Sequence, residues 1–149
     1  MTNDWPEHLA VGAVRFARPT GRFEEIITFY RDDLGLPVLA EWRDKQGHNG
    51  VVLGLPDAPV HLEITQNEDP PVVPPPHPEN QLVLYLRGPA ARDAAAARLT
   101  ARGHRPVPAA NPYWPERGGL LFPDPDGWLV VLAPWVFGRD PVPTPTPPA

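Results

Sequence analysis

The chain contains no cysteine among its 149 residues, and this absence excludes several classes of protein at once. A disulfide framework, a thiolate zinc site, an iron–sulfur cluster and a cysteine nucleophile all require thiols. No run of Lys or Arg exceeds two residues and the formal net charge is −5, so we expect no nucleic-acid partner.

Long apolar runs and a leader segment are also missing. The apolar stretches are far shorter than a bilayer span, and residues 1–4 show neither the basic nor the apolar part of a secretory signal. We therefore expect a cytoplasmic protein with no membrane partner. A chain of this length buries roughly two-thirds of its unfolded surface, which suits one compact unit or two small modules.

Proline is abundant, with 24 residues, and its distribution predicts how the chain is organised. Six prolines fall in Pro70–Pro78, where they predict a stiff spacer. Five fall in the last nine residues, which predicts an extended, mobile tail from Pro141 onward. The predicted segments are an N-terminal extension (1–9), a first module (10–66), a Pro-rich linker (67–80), a second module (81–134) and a Pro-rich tail (135–149).

The first module is predicted to follow the order strand, helix, strand, strand, strand. Thr20 is a candidate N-cap, and an apolar stripe follows it at helical spacing: Phe23, Ile26, Ile27 and Tyr30. Residues 44–50 have the composition of a turn. The four predicted strands are Val11–Ala17, Pro37–Trp42, Val51–Leu55 and Val60–Thr65.

The second module repeats that order. A helix is predicted from Pro89 to the stop at Gly103. The strands are predicted at Gln81–Leu86, Arg105–Pro108 (weak and broken by proline), Gly119–Phe122 and Trp128–Ala133. The segment GVVLGLPD in the first module is similar to the segment GLLFPDPD in the second. The sequence therefore predicts an α+β fold of two βαβββ modules; the alternative is a single α+β domain with accidental similarity.

Side chains alternate along a strand, which separates the predicted strand faces. All-apolar faces, such as that of Val14 and Phe16, are expected to pack on the helices. The opposite faces carry polar residues among apolar ones: Arg15, His61, Glu63, Gln81 and Tyr85. Such faces either line a pocket or lie open to solvent, and the apolar neighbours Val83, Leu129 and Val131 favour a pocket.

Two stretches resemble the glyoxalase / bleomycin-resistance / extradiol dioxygenase superfamily, which has the vicinal oxygen chelate fold. They are RFARPTGRFEEIITFYRDDLGL near the start and GGLLFPDPDGWLVVL near the end. The likeness covers residues 10–134 and implies two paired modules that each curl a sheet, with a site in the cup. It also implies a homodimer.

The resemblance further implies four metal-ligand positions, one on the first and one on the last strand of each module. In this chain they are Arg15, Glu63, Gln81 and Val131. Guanidinium cannot bind a cation, valine has no donor atom, and the amide is a poor ligand. With His61 the set is still inadequate, so we expect no metal cofactor. An atypical divalent site through Glu63 or His61 is disfavoured.

Three further residues each carry two interpretations. His48 is either a ligand contact from a loop over the cup or a turn residue, and the turn is favoured. Tyr113 and Trp114, predicted in a loop, either stack on a flat ligand or plug the rim of the barrel; neither is favoured.

These observations predict a protein that binds a small organic molecule in the cup without the catalytic metal. The expected ligand-binding residues are Arg15, His48, His61, Glu63, Gln81, Tyr85, Tyr113 and Trp114. Arg15 is expected to pair with Glu63 or to present its guanidinium to an anion. The alternative is an enzyme of the lyase, isomerase or dioxygenase type with an atypical metal or a metal-free site; catalytic residues are not assigned.

Overall fold

A computed structural model describes residues 6–55, 58–67 and 72–147. The predicted turn at Pro56-Asp57, the start of the proline spacer and the two ends of the chain lie partly or wholly outside these residues. The chain divides into two compact units, residues 1–73 and residues 74–149.

The first unit is a four-stranded mixed sheet with one helical segment. Its strands are β1 (Val14–Pro19), β2 (Val38–Lys45), β3 (His48–Gly54) and β4 (Val60–Asn67). They lie in the order β1-β4-β3-β2, with β1 parallel to β4 and the other pairs antiparallel. Helix α1 (Phe23–Ile27) continues into a wider π-helical segment, Thr28–Asp33.

The helical segment forms because its apolar stripe has somewhere to pack. Phe23, Ile26, Ile27 and Tyr30 are all buried, as the helical spacing predicts. Thr20 is buried but does not occupy the N-cap position, which belongs to Arg22. Its hydroxyl accepts a hydrogen bond from the Arg22 backbone N–H at 3.0 Å and so closes the turn before the helix.

The expectation that Val14 and Phe16 are covered by helix is wrong. Their exposed fractions are 44% and 55%. They share a sheet face with the buried Leu62 and Ile64, as the parallel register of β1 and β4 requires. β1, however, is the outermost strand of this sheet, and the short helix α1 packs on the inner strand β4.

The second unit is a three-stranded sheet with one long helix. Its strands are β5 (Gln81–Tyr85), β6 (Leu120–Pro123) and β7 (Leu129–Ala133), in the order β5-β7-β6. Helix α2 (Pro89–Ala101) contacts β7 and buries Leu99. A one-turn helix, α3 (Tyr113–Glu116), stands where a loop was expected.

The weak strand predicted at Arg105–Pro108 does not form. Val107 alone donates a backbone hydrogen bond to Leu121 O of β6, at 2.8 Å. Pro106 and Pro108 on either side hold φ near −65°, away from the −120° to −140° of a strand, so the segment lies beside β6 without joining the sheet.

Residues 141–147 run without regular secondary structure. The Thr146 backbone N–H nevertheless donates to Glu116 O at 2.8 Å, which ties the proline-rich segment to the end of α3. Within the described residues, none of the helices combines the length and hydropathy that crossing a membrane requires.

Candidate ligand-binding site

Three of the predicted site residues meet on one face of the first unit's sheet. Arg15 of β1 lies directly opposite His61 of β4, and Glu63 follows His61 by two residues, so all three side chains share a face. Arg15 Nη1 lies 3.3 Å from Glu63 Oε2. We call Arg15, His61 and Glu63 the polar centre.

The Arg15–Glu63 contact is a long, partly hydrated ion pair. The exposed side-chain fractions are 49% for Arg15 and 18% for Glu63, so water reaches the guanidinium while the carboxylate is largely enclosed. A guanidinium has five N–H donors, and the described contact with Glu63 engages one nitrogen. The remaining donors are therefore available to an acceptor from solution.

Two apolar side chains of β2 lie beside the polar centre, above glycines of β3. A Cβ added to Gly50 would lie 1.9 Å from Trp42 Cζ2, so the indole fills the space that any other residue's side chain would need. A Cβ on Gly54 would lie 3.1 Å from Leu39 Cδ1. We call Leu39 and Trp42 the apolar shelf.

The register places the shelf on the same face as the polar centre. Trp42 is opposite Gly50, Gly50 is opposite Thr65, and Thr65 follows Glu63 by two residues on β4. Trp42 is half-buried and Leu39 is 55% exposed, so both retain apolar surface that solvent can reach. The sequence analysis did not predict the shelf; the signal for it was the pair of glycines that flank the apolar run of β3, residues 51–53.

His48 lies in a strand, and not in the turn or the loop that the sequence predicted for it; its contact with a ligand stays a prediction. It is the first residue of β3, directly after the tight turn at Gln46-Gly47. Its Nδ1 lies 2.6 Å from Asn67 Oδ1 at the end of β4, so that ring nitrogen is engaged within the sheet. His48 shares the face of Gly50 and Trp42, at the end of the sheet away from Arg15.

In the second unit, Gln81 and Trp114 are joined to each other. Trp114 Nε1 donates to Gln81 Oε1 at 3.0 Å. Trp114 is 8% exposed and packs in an apolar cluster on one sheet face, together with Leu121, Leu129, Val131, Ala133 and Trp135. Trp114 therefore packs among the second unit's own apolar residues, and its contact with a ligand stays a prediction.

Tyr85 and Tyr113 lie at the border of the same cluster. The ring of Tyr113 meets the Trp114 ring edge-on at 5.0 Å, and Arg117 lies 4.0 Å above the Tyr113 ring centre. Tyr85 is 38% exposed, with Trp135 5.9 Å away. Partial burial, followed by the neighbouring Tyr113, raises the pKa of the Tyr85 hydroxyl, which therefore stays protonated and neutral at physiological pH.

An open apolar groove of about 450 Å³ also belongs to the second unit. It is lined by Pro76, Pro78, Val107, Pro108, Ala109, Ala110, Gly127 and Leu129. None of the predicted site residues lines it, and its walls carry no charged or hydroxyl side chain.

The donor set does not fit a divalent metal. The described residues contain no group of three or more His, Asp or Glu side chains placed to hold one. At the four positions implied by the resemblance, Arg15 is a fixed cation, Gln81 already accepts from Trp114, and Val131 is fully buried without a donor. Only Glu63 supplies an anionic oxygen.

Comparison with known proteins shows the family to which this chain belongs. Residues 14–65 match the YycE-like N-terminal domain and residues 79–134 match the YycE-like C-terminal domain. The YycE protein of Bacillus subtilis is 42% identical over 119 residues, which cover 80% of this chain and 85% of that protein.

Three solved structures have folds similar to that of this chain. The crystal structure of B. subtilis YycE, described as a candidate glyoxalase or fosfomycin resistance protein, has a TM-score of 0.79 at 38% identity and covers 89% of this chain and 98% of its own. TnmS3, an antibiotic binding protein from Streptomyces sp. CB03234, has a TM-score of 0.62 at 26% identity and covers 85% and 98%. The fosfomycin resistance protein FosX of Listeria monocytogenes shares the fold, with a TM-score of 0.67 at 13% identity and coverage of 88% and 98%.

Proposed function

Because the chain belongs to the YycE-like family of the glyoxalase / bleomycin-resistance superfamily, we propose that it binds a small organic molecule without a catalytic metal. The proposed site is the sheet face of the first unit, with Arg15, His61 and Glu63 as its polar groups. A mostly apolar surface with a few convergent polar side chains is the usual composition of a ligand site.

The observation that carries this proposal is the Arg15–Glu63 ion pair. It supports binding without metal because the guanidinium, which is always protonated, lies beside the carboxylate that a metal would otherwise use. A divalent ion at Glu63 would have to displace Arg15 and then remain close to its positive charge. The same guanidinium suits an anionic or carbonyl oxygen of an organic ligand.

A relative adds support of a different kind. TnmS3, 26% identical to this chain, is named as an antibiotic binding protein, so binding of a small organic molecule has a precedent within this fold. Among the described residues of this face, none resembles a nucleophile with an adjacent base, which is consistent with binding alone.

The proposal is tested by metal analysis followed by ligand screening. Protein purified without chelator and without a histidine tag is expected to hold less than about 0.1 equivalent of Zn, Mn, Ni or Fe. A thermal-shift screen against divalent metals, metabolites and antibiotics is expected to select an organic compound, since a ligand raises apparent stability in proportion to its excess over Kd. Stoichiometric metal that Glu63→Ala abolishes would overturn the proposal and favour the enzyme.

Two further parts of the proposal concern the state of the protein in the cell. We propose a cytoplasmic homodimer, on the basis of the family resemblance and the exposed apolar residues of the outermost strand, Val14 and Phe16. Sedimentation at micromolar concentration tests the dimer, and a purely monomeric distribution would contradict it.

A further inference from the structure

The apolar shelf suggests what kind of molecule the first unit accepts. We propose that the ligand is a planar aromatic anion, whose acidic group binds Arg15 and whose ring lies on Trp42. This inference rests on the proposed function and narrows it, because it adds two residues, Leu39 and Trp42, that nothing else assigns to a site.

The first argument is the way Trp42 is held. Its six-membered ring occupies the place of a side chain at Gly50, with three ring atoms within 2.6 Å of the position a Cβ would take. Real Cβ contacts are never this short, so the indole reaches this position only because residue 50 is glycine. The contact at Gly54 is looser: Leu39 carbons lie 3.1–3.3 Å from the position of a Cβ there, so a side chain would require a small shift of Leu39. The two glycines let apolar side chains lie close against the sheet.

The second argument is spacing. The guanidinium of Arg15 reaches Glu63 on β4, and the indole lies over Gly50 on β3, one same-face step further along. Strands are about 4.8 Å apart and same-face residues about 6.8 Å apart, which puts the backbone positions of Glu63 and Gly50 about 8 Å from each other. A carboxylate attached directly to a fused aromatic ring spans that distance when it contacts both the guanidinium and the indole.

The third argument is charge and exposure. The Arg15 side chain is 49% exposed, and a guanidinium binds a carboxylate through two parallel hydrogen bonds. Trp42 and Leu39 retain accessible apolar surface, and aromatic rings favour offset or edge contacts with each other. A small inorganic anion would not cover the apolar surface of the shelf, and a neutral aromatic molecule would offer no anionic acceptor to Arg15. A ligand with both a ring and an acidic group satisfies both parts of the site.

The test uses 1-naphthoate as the probe, with calorimetry and tryptophan fluorescence on the full chain. Propionate, which keeps the carboxylate, and naphthalene-1-carboxamide, which keeps the ring, are the matched probes. We expect 1-naphthoate to bind at least tenfold more tightly than either. If propionate bound as tightly as 1-naphthoate, the apolar shelf would not be part of the site. If the carboxamide bound as tightly, the site would not require a negative charge on the ligand.

Variants separate the two halves of the site. Trp42→Ala and Gly50→Ala are each expected to weaken 1-naphthoate binding about tenfold, whereas Trp42→Phe keeps affinity within about threefold and removes the ligand-induced fluorescence change. Gly21→Ala is the control for Gly50→Ala, since a Cβ there meets nothing within 4 Å. Wild-type affinity in Trp42→Ala would overturn the shelf even if Gly50→Ala failed to fold.

Glu63→Gln tests the sign of the ligand's charge. Its amide oxygen still accepts from Arg15 but carries no negative charge, so 1-naphthoate is expected to bind several-fold more tightly. Weaker binding would overturn the inference, because removing a negative neighbour should only strengthen the attraction of an anion to Arg15. If 1-naphthoate does not bind at all, this inference fails, whereas the proposed function is judged separately by metal content and by the wider screen.

Discussion

The Arg15–Glu63 pair makes a quantitative prediction about folding stability. Were both groups fully buried, removing one partner would cost roughly 3–5 kcal/mol, because the other charge would be stranded. Arg15, however, is 49% exposed, so water solvates the guanidinium and that figure does not apply. At 3.3 Å in a water-like dielectric the attraction is about 1 kcal/mol, and holding two long side chains in place offsets part of it.

A double-mutant cycle measures the pair directly. Arg15→Met, Glu63→Gln and the double variant are unfolded in urea at pH 7 and low salt. We expect each single variant to lose about 0.5–1 kcal/mol and the coupling energy to be about 0.5 kcal/mol. The double variant is then more stable than the sum of the two single losses predicts.

The outcomes of this cycle are distinct. Coupling should fall when NaCl is raised to 0.5 M, because a half-exposed pair is screened by salt. A coupling energy of 3 kcal/mol or more would show that the pair is desolvated in solution. A coupling energy indistinguishable from zero would show that the two side chains do not pair, and the anchoring role given to Arg15 would lose its structural basis.

Three other predictions address the rest of the chain. Trp114→Phe keeps an aromatic ring but removes the N–H that Gln81 accepts, so urea unfolding should show a loss of about 1 kcal/mol; an unchanged value would mean that Gln81 finds another donor. Hydrogen bonding from Arg43 lowers the pKa of the Glu24 carboxyl, so the stability that Glu24 contributes is present above its ordinary pKa of 4.5 and is lost as pH falls through the lowered value. The stability difference between wild type and Glu24→Gln should therefore shrink between pH 5 and pH 3, and a constant difference would contradict the pairing. Deleting residues 141–149 should lower Tm by less than about 3 °C, and a larger fall would show that the tail holds the second unit together.

Local patterns predicted the fold well where they were strong. The stripe through Phe23, Ile26, Ile27 and Tyr30 fixes which side of the helix is buried, because helical spacing leaves one solution. Two-residue alternation put Arg15, His61 and Glu63 on one face for the same reason. The family resemblance and the two-module α+β architecture are confirmed by the comparisons.

Features that depend on register or coverage were not predictable. Trp42 meets Gly50 because a bulge between Val38 and Ala40 shifts the pairing of β2 with β3, and no local pattern shows that shift. Phe16 is exposed because helix α1 is short and β1 is outermost, which a strand's own sequence does not reveal. The chemistry of Trp114 suits both a ligand contact and a plug, and the sequence did not show that its indole N–H donates to Gln81.

The prolines beside β6 have a consequence for how the protein behaves at high concentration. An outermost strand with free backbone groups invites another chain to extend the sheet, which is a common route to aggregation. Here Val107 occupies one acceptor of β6, and Pro106 and Pro108 on either side offer no N–H to an incoming strand. Replacing both prolines with valine would favour a fourth strand in the second unit, and the new strand would then present its own free backbone groups to neighbouring molecules. The sheet of the second unit therefore ends at a segment whose prolines offer no N–H to another strand. As a result, this sheet has three strands, whereas the sheet of the first unit has four.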